Sequence, residues 1–310
     1  MIKLKSLFDK PVVDGPKPTW KDYVEPFMYL APFLLGIIIF TLYPIINVFL
    51  MSFKENFRQL TGAFDSWGTA NYEYVLNDPN FHQALRNTFA YVIIVIPIST
   101  ALAVIIANLL NQKLKGSAIF QTAYFLPMVT SVTAVGLTWK FMFNYDFGVI
   151  NFLLSTIGLD KVRWLTVPAN NFPALCIYGI WSILPFTIIL LLSGLQNIDE
   201  KYYTAAKVDG AKDLRIFFRI TIPLLAPTIG LVLIVNSISA FKVFNELFPL
   251  FQGPGIAYNL FTVVYYIFYQ FRGITPPRYG RAAAGAIVLF FVILVFTMIQ
   301  MLVQKKWKHY

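Results

Sequence analysis

Charge is scarce in this chain. Asp, Glu, Lys and Arg make up 13% of its 310 residues, about half the share in a soluble globular domain. With 57% of the residues hydrophobic, that deficit excludes a soluble class and predicts a membrane protein. One cysteine, Cys176, and two histidines, His82 and His309, supply neither an internal disulfide nor a metal cluster at ligand spacing. Cys176 reads as a small packed hydrophobe. There is no GxxxxGK(S/T) phosphate loop, and no Ser-His-Asp set or paired carboxylates within the apolar runs. No cofactor and no enzymatic activity are expected. The first apolar run is longer than the core of a secretory signal, and no small-x-small site follows it, so no cleaved leader is expected.

Six long runs lack charge altogether: Pro26–Phe53, Asn87–Gln112, Gly116–Trp139, Trp164–Ile198, Ile220–Phe241 and Ala282–Gln304. About 20 apolar helical residues cross a hydrocarbon core, and lipid forces each backbone amide to pair within its own segment. The expectation is an all-α integral membrane domain of six transmembrane helices. The basic excess of 25 Lys and Arg over 15 Asp and Glu then reads as topology rather than nucleic-acid binding. Six spans put both termini on one side, and that side collects 15 of the 25 basic residues. By the positive-inside rule it is the cytoplasmic side.

The chain divides into a polar tail over 1–26, the membrane domain over 27–304 and a basic tail over 305–310. Pro32 and Pro44 are expected to kink the first span. Asn111–Gly116 reads as a tight basic cytoplasmic turn. The third span carries FLPMVTSVTAVGLTW, and its small and hydroxylated residues predict a place inside the bundle. NYDFGVINFLLSTIGLDKVRWL predicts a short interfacial helix bounded by Gly148 and Gly158. Leu247–Phe271 also lacks charge, but Pro249, Gly253, Pro254 and Gly255 break it. It reads as re-entrant or interfacial rather than a seventh span.

Polar residues within spans are functional candidates by default. At about 100° per residue Asn236, Ser239, Lys242 and Glu246 fall within an arc of about 120° and form one polar stripe on the fifth span, and Lys242 and Glu246 can pair at i, i+4. The stripe lines a solute path, or its outer end is a structural ion pair. In the fourth span Tyr178 and Trp181 share a helical face suited to a sugar ring, although most of the 53 aromatics must be core or membrane belt.

The densest charge in the second half lies in DEKYYTAAKVDGAKDLRIFFRITIPLLAP, residues 199–227. Asp199 can cap a helix, Gly210 can end it in a left-handed turn, and a second helix starts near Asp213. Ala205, Ala206, Gly210 and Ala211 give the segment a small-residue face suited to a protein groove, with Glu200, Thr204 and Asp209 beside them as further candidate coupling residues.

Thr204-Ala205-Ala206-x-x-Asp209-Gly210-Ala211, followed by Phe217, Ile220, Pro223 and Pro227, resembles the EAA loop of ABC importer permease subunits. Gly68-x-x-Asn71-Tyr72, Asp78-Pro79-x-Phe81, Asn87-Thr88, Phe125-Leu126-Pro127, Trp139, Gly148-x-Ile150-Asn151, Trp164, Phe244-x-x-Leu247 and Gly253-Pro254 are similar to their sugar-uptake branch. The branch includes the maltose importer's larger permease. The resemblance covers roughly residues 27–304. It implies a type I ABC importer-like permease fold, with residues of about 199–218 forming a cytoplasmic coupling helix.

It further implies a bacterial cytoplasmic membrane location, a homologous second permease, two copies of a sugar-type ATPase that bind the ATP, and an extracytoplasmic solute-binding protein. The substrate would be a sugar, with an oligosaccharide favoured; a glycerol phosphate ester is the alternative within transport. An ion-coupled secondary transporter would want buried carboxylates or inverted repeats, and neither is evident. The chain departs from the family where Thr204 replaces the namesake Glu, and Glu200, one turn earlier, is the candidate substitute.

Overall fold

In a computed structural model, residues 20–112, 119, 122 and 124–307 are described. Most of the N-terminal tail, the basic turn around Lys113 and Lys115, the start of the third apolar run, and residues 308–310 lie outside them. The chain divides into two compact units, Met1–Leu50 and Met51–Tyr310.

The described part of the first unit is one long apolar helix interrupted by a wide turn. Helix α1 (Trp20–Ile37) leads through Ile38–Leu42 into α2 (Tyr43–Ser52), and Tyr43 N–H bonds five residues back to Ile38 O. Pro44 explains the widening: a proline has no N–H to give, and its ring presses on the carbonyl four residues earlier. The same device recurs at Phe217–Thr221, where Ile222 N–H reaches Phe217 O just before Pro223.

The second unit holds the remaining described α-helices. They are α3 (Ala70–Asn77), α4 (Pro79–Asn111), α5 (Val132–Met142), α6 (Val149–Thr156), α7 (Pro168–Gln196), α8 (Glu200–Val208), α9 (Asp213–Ile216), α10 (Ile222–Ala240), α11 (Leu247–Phe251), α12 (Val263–Phe268) and α13 (Tyr279–Trp307). Among the described residues five helical stretches are long and apolar enough to cross a membrane: Val24–Ser52, Pro79–Asn111, Pro168–Gln196, Asp213–Ala240 and Tyr279–Lys305.

The third apolar run behaves differently from expectation. It breaks at Thr130, which is extended, after a single tight turn at Leu126–Val129, and Ser131 then caps α5 by accepting from Ala134 N–H. Within α5 only Gly136 and Trp139 are buried. Apart from Gly136, its small residues do not pack inward within this chain, contrary to the expectation from composition. Gly136 is small because Pro249 of α11 sits where a Cβ would go.

Among the described helices, α4 and α7 pack together most extensively. Gly179 lets the Tyr91 ring lie directly on the α7 backbone, the close approach that small residues allow between membrane helices. Two apolar clusters follow. One joins Phe81, Tyr91, Trp139, Tyr178, Phe241 and Tyr266; the other joins Ala103, Ala107, Ile188, Leu191, Leu195 and Leu225. Helix α13 is fixed to α10 by amides one turn apart: Gln300 Nε2 donates to Ser237 Oγ at 2.9 Å and Gln304 Nε2 to Pro227 O at 3.3 Å.

At the end of the bundle bearing α3, α6, α11 and α12 the backbone is irregular, and side-chain amides satisfy it. Asp78 caps α4, accepting from Asn80 N–H through Oδ1 at 2.9 Å and from the Tyr266 hydroxyl through Oδ2 at 2.8 Å. Asn87 Nδ2 donates to the carbonyls of Asn259 and Phe261, both at 2.9 Å. Thr88 Oγ1 accepts from Val263 N–H at 3.1 Å. Asn71 Nδ2 holds the carbonyls of Ser52 and Lys54 at 3.0 Å each. Asn151 does most: Nδ2 donates to Val162 O at 2.9 Å, while Oδ1 accepts from Val162 N–H and the Trp164 indole, both at 3.0 Å.

In the stretch from Leu247 to Phe271 the α-helices are only five and six residues long, far short of a membrane crossing. It turns back on itself through residues with positive φ from Gln252 to Tyr258, and Leu247, Leu250, Leu260 and Tyr266 are buried.

Removing the Asn151 amide would leave the Val162 N–H and the Trp164 indole without their acceptor, at about 1–3 kcal/mol for a buried unpaired group. Asn151→Ala should lower the unfolding temperature in detergent by several degrees. Asn77→Ala, which deletes an exposed bond within its own helix, should leave it unchanged. Equal effects would refute the role given to Asn151.

Candidate functional site

Two regions gather the sequence-predicted residues. The first is α8 and its flanks. The Asp199 side chain accepts from Lys201 N–H at 3.0 Å, and Lys201 Nζ lies 2.6 Å from Asp199 Oδ2. The bond from the Lys201 side chain, then that from its backbone, holds the Asp199 carboxyl below the usual range. Because the shift is downward, the cap is fully present above the ordinary Asp value of ~3.9 and is lost only as pH falls through the lower folded value.

The other end stops as predicted. Gly210 adopts φ +74°. Its N–H bonds to Lys207 O, and Ala211 N–H reaches back to Ala206 O, both at 3.0 Å. This pair of bonds is the Schellman stop, which pairs the last free carbonyls of a helix. A Cβ on Gly210 would meet nothing within 4 Å, so glycine is needed here for its backbone angle and not for space.

Between these ends Ala206 is buried, while Glu200, Lys201, Thr204, Ala205, Val208 and Asp209 share one open face. Thr204 Oγ1 donates to Glu200 O at 3.2 Å, so the hydroxyl is turned to its own helix. Asp209 and Ala211 also line a concavity of about 390 Å³ with Ala206, Arg215, Ile216, Arg219 and Ile220.

The second region is the polar stripe, and the structure divides it. Helix α10 ends at Ala240, and Lys242 N–H and Val243 N–H close turns onto Ser239 O and Ala240 O. Lys242 and Glu246 are therefore not i, i+4 neighbours on a helix. Glu246 Oε2 accepts instead from Phe244 N–H at 3.1 Å. The stripe failed because a helical period was carried past the point where the helix stops.

Asn236 is buried and donates through Nδ2 to Thr187 Oγ1 at 2.8 Å, while Thr187 donates to Ile183 O at 2.9 Å. This ties α10 to α7. Ser239 and Lys242 are exposed, and Glu246 is half-buried. Tyr178 is buried edge-on to Trp139, with centroids 5.8 Å apart at 89°, and Trp181 lies 5.3 Å from the same indole. Trp139 in turn contacts Phe143, and Phe143 contacts Trp164. The sequence reading missed Trp139 as the hub of this cluster and Thr187 as the partner of Asn236. Their spacing from Tyr178 and Asn236 crosses helices and leaves no local signal.

Long apolar helices with polar groups turned between them, and a short capped helix exposed between two of them, define a multi-pass membrane protein of the transport-subunit class. The chain belongs to the family described as binding-protein-dependent transport system inner membrane components, whose pattern matches residues 95–309. It is therefore a permease subunit and not an enzyme. It is 33% identical over 300 residues to the arabinooligosaccharides transport system permease protein of Bacillus subtilis, covering 93% of each chain. It is 30% identical to the trehalose/maltose transport system permease protein of Thermococcus litoralis, covering 88% of this chain and 91% of that one. Among solved structures it matches a bacterial ABC transporter that imports the acidic polysaccharide alginate, with TM-score 0.78 and 26% identity, over 93% of this chain and 98% of that chain.

A bond between buried side chains on two membrane helices contributes on average about 0.6 kcal/mol. The stability losses of Asn236→Ala and Thr187→Val should therefore overlap in the double variant, measured by thermal unfolding in detergent. Losses that simply add would show that the two side chains do not act together.

Proposed function

We propose that this chain is one of two homologous permease subunits of a bacterial sugar importer, most suited to an oligosaccharide. It has six spans, both termini in the cytoplasm, and the membrane domain over 27–304 between its two tails. The sixth span in this count is the third apolar run. Its partners are the second permease, two copies of a sugar-type ATPase, and a solute-binding protein outside the membrane. The observation that carries this reading is end-to-end similarity to permeases named for oligosaccharides and disaccharides. A solved relative in complex with a periplasmic protein carrying an alginate pentasaccharide supports the binding-protein partner.

In this reading α8 is the coupling helix. Glu200, Thr204, Ala205 and Asp209 present a surface to the ATPase, and the Asp199 cap and the stop at Gly210 set its length. Ala206 and Ala211 keep its base narrow. ATP can shift the permease between states only through contacts that differ between those states, and this face is where such contacts would be made. The permease itself holds no cofactor.

The solute path draws on Trp181, Ser239, Lys242 and Glu246, all at least partly accessible. Tyr178 and Asn236 back it from the packed core. Glu246 and Lys242 stand at the outer mouth as independent groups rather than as a pair.

Two experiments bear on this. Gly210→Val places a β-branched residue at φ +74°, a backbone region such residues rarely adopt. The variant should insert normally but lose ATP-driven uptake by tenfold or more, with Gly210→Asn losing less; full uptake by the valine variant would overturn the coupling role. For orientation, a cysteine at Lys207 should react with a membrane-impermeant maleimide in inside-out vesicles and not in right-side-out ones. The reverse pattern would overturn the placement of α8.

A further inference from the structure

The first turns of the helix Asp213–Ala240 carry two neighbouring stripes of opposite character. Leu214 and Phe218 are four residues apart and exposed, at 72% and 59%. Arg215 and Arg219 are also four apart and exposed, and both line the concavity of about 390 Å³ beside Ala211. At about 100° per residue the two pairs form adjacent stripes on one helix. Among the described residues neither guanidinium has a carboxylate within ion-pair distance. Asp209 lines the same concavity, so it presents two cationic groups against one anionic group. Phe218 is held edge-on against Phe217, with centroids 5.1 Å apart at 77°.

We propose that Leu214, Arg215, Phe218 and Arg219 form a docking site for one anionic phospholipid, with its phosphate on the two guanidinium groups and its upper acyl chain along Leu214 and Phe218. This rests on the reading above that the segment meets the cytoplasmic leaflet. Charge and position favour a lipid over a soluble partner. The residues that follow, from Ile220 onward, are the apolar part of a membrane-length helix, so the four side chains stand where headgroups meet hydrocarbon. Guanidinium groups suit phosphate because their fork of N–H donors matches its oxygens. Adjacent apolar side chains suit the acyl boundary, where interfacial helices bury their hydrophobic face. An acidic protein surface would use the arginines and leave Leu214 and Phe218 in water.

The site gives the coupling segment a fixed footing. Only Asp209–Lys212 separate α8 from α9, the start of the helical stretch that carries both arginines, so a headgroup bound at Arg215 and Arg219 holds the base of α8 at the membrane surface.

The test uses the full complex purified with its partner subunits in detergent. It is titrated with phosphatidylglycerol or with phosphatidylcholine of the same acyl chains, and bound lipid is counted by native mass spectrometry. Each basic residue near an anionic surface contributes about 1 kcal/mol, so R215Q/R219Q should bind the strongest phosphatidylglycerol roughly ten- to thirtyfold more weakly. Its phosphatidylcholine binding should be unchanged, and L214S/F218S should weaken both lipids. Wild-type phosphatidylglycerol binding by R215Q/R219Q would overturn the proposal. If that variant instead shed its ATPase subunits while keeping the lipid, an acidic protein surface would be the occupant, and the lipid proposal would be equally overturned. Lipid counting in detergent is blind to sidedness, so the maleimide experiment at Lys207 tests the placement separately. A failure of one is not a failure of the other.

Discussion

Hydrocarbon offers a backbone amide nothing to bind, and the consequences of that constraint run through the whole molecule. Where the chain is long and apolar, it is helical and pairs its own N–H and C=O groups. Where it must turn, other groups take over. Pro44 and Pro223 are each preceded by a widened turn in which an N–H reaches five residues back. At the end bearing α3, α6, α11 and α12, the turns are held by Asn71, Asp78, Asn87, Thr88 and Asn151. Asn71, Asn87, Thr88 and Asn151 satisfy the backbone of segments distant in sequence, while Asp78 caps its own helix and receives the Tyr266 hydroxyl, and together they hold an irregular cap without regular secondary structure.

That cap also explains what the sequence motifs are for. Asn71, Asp78-Pro79, Asn87-Thr88 and Asn151 were first singled out by similarity to sugar permeases. In the structure none of them stands in the polar stripe; the side chains of Asn71, Asp78, Asn87, Thr88 and Asn151 all bind backbone. The Asp78 carboxylate illustrates the economy of the arrangement, since one oxygen starts α4 while the other receives Tyr266 from α12. Burial and the bond to Asp78 push the Tyr266 phenol well above its ordinary value, so it stays a neutral donor across the physiological range.

Much of the fold was legible because the signals were local. Charge-free runs located five membrane-length helices, Gly210 marked a left-handed stop, and Gly148 and Gly158 bracketed α6. What could not be read was whatever depends on one element meeting another. The Asn236–Ser239–Lys242–Glu246 stripe assumed a helix that ends at Ala240, and nothing in the local composition announces that end. The small residues of α5 suggested a place inside the bundle, yet within this chain most of them face outward. Small side chains allow close packing without saying with what. The bond between Asn236 and Thr187, and the edge-on contact of Tyr178 with Trp139, join residues dozens of positions apart.

The second unit thus combines an irregular cap held by side chains, the packed pair α4 and α7, and a short, sharply terminated helix after α7. A permease subunit carries no power source of its own, and in the function proposed above its working cycle is imposed through α8. The most direct test is uptake of labelled oligosaccharide into proteoliposomes holding the complete importer with its binding protein. The account predicts accumulation only when ATP is supplied on the α8 side and the ATPase is present, with no loss when ionophores collapse ion gradients. Uptake that survives removal of the ATPase, or that vanishes with the ion gradient while ATP remains, would contradict it.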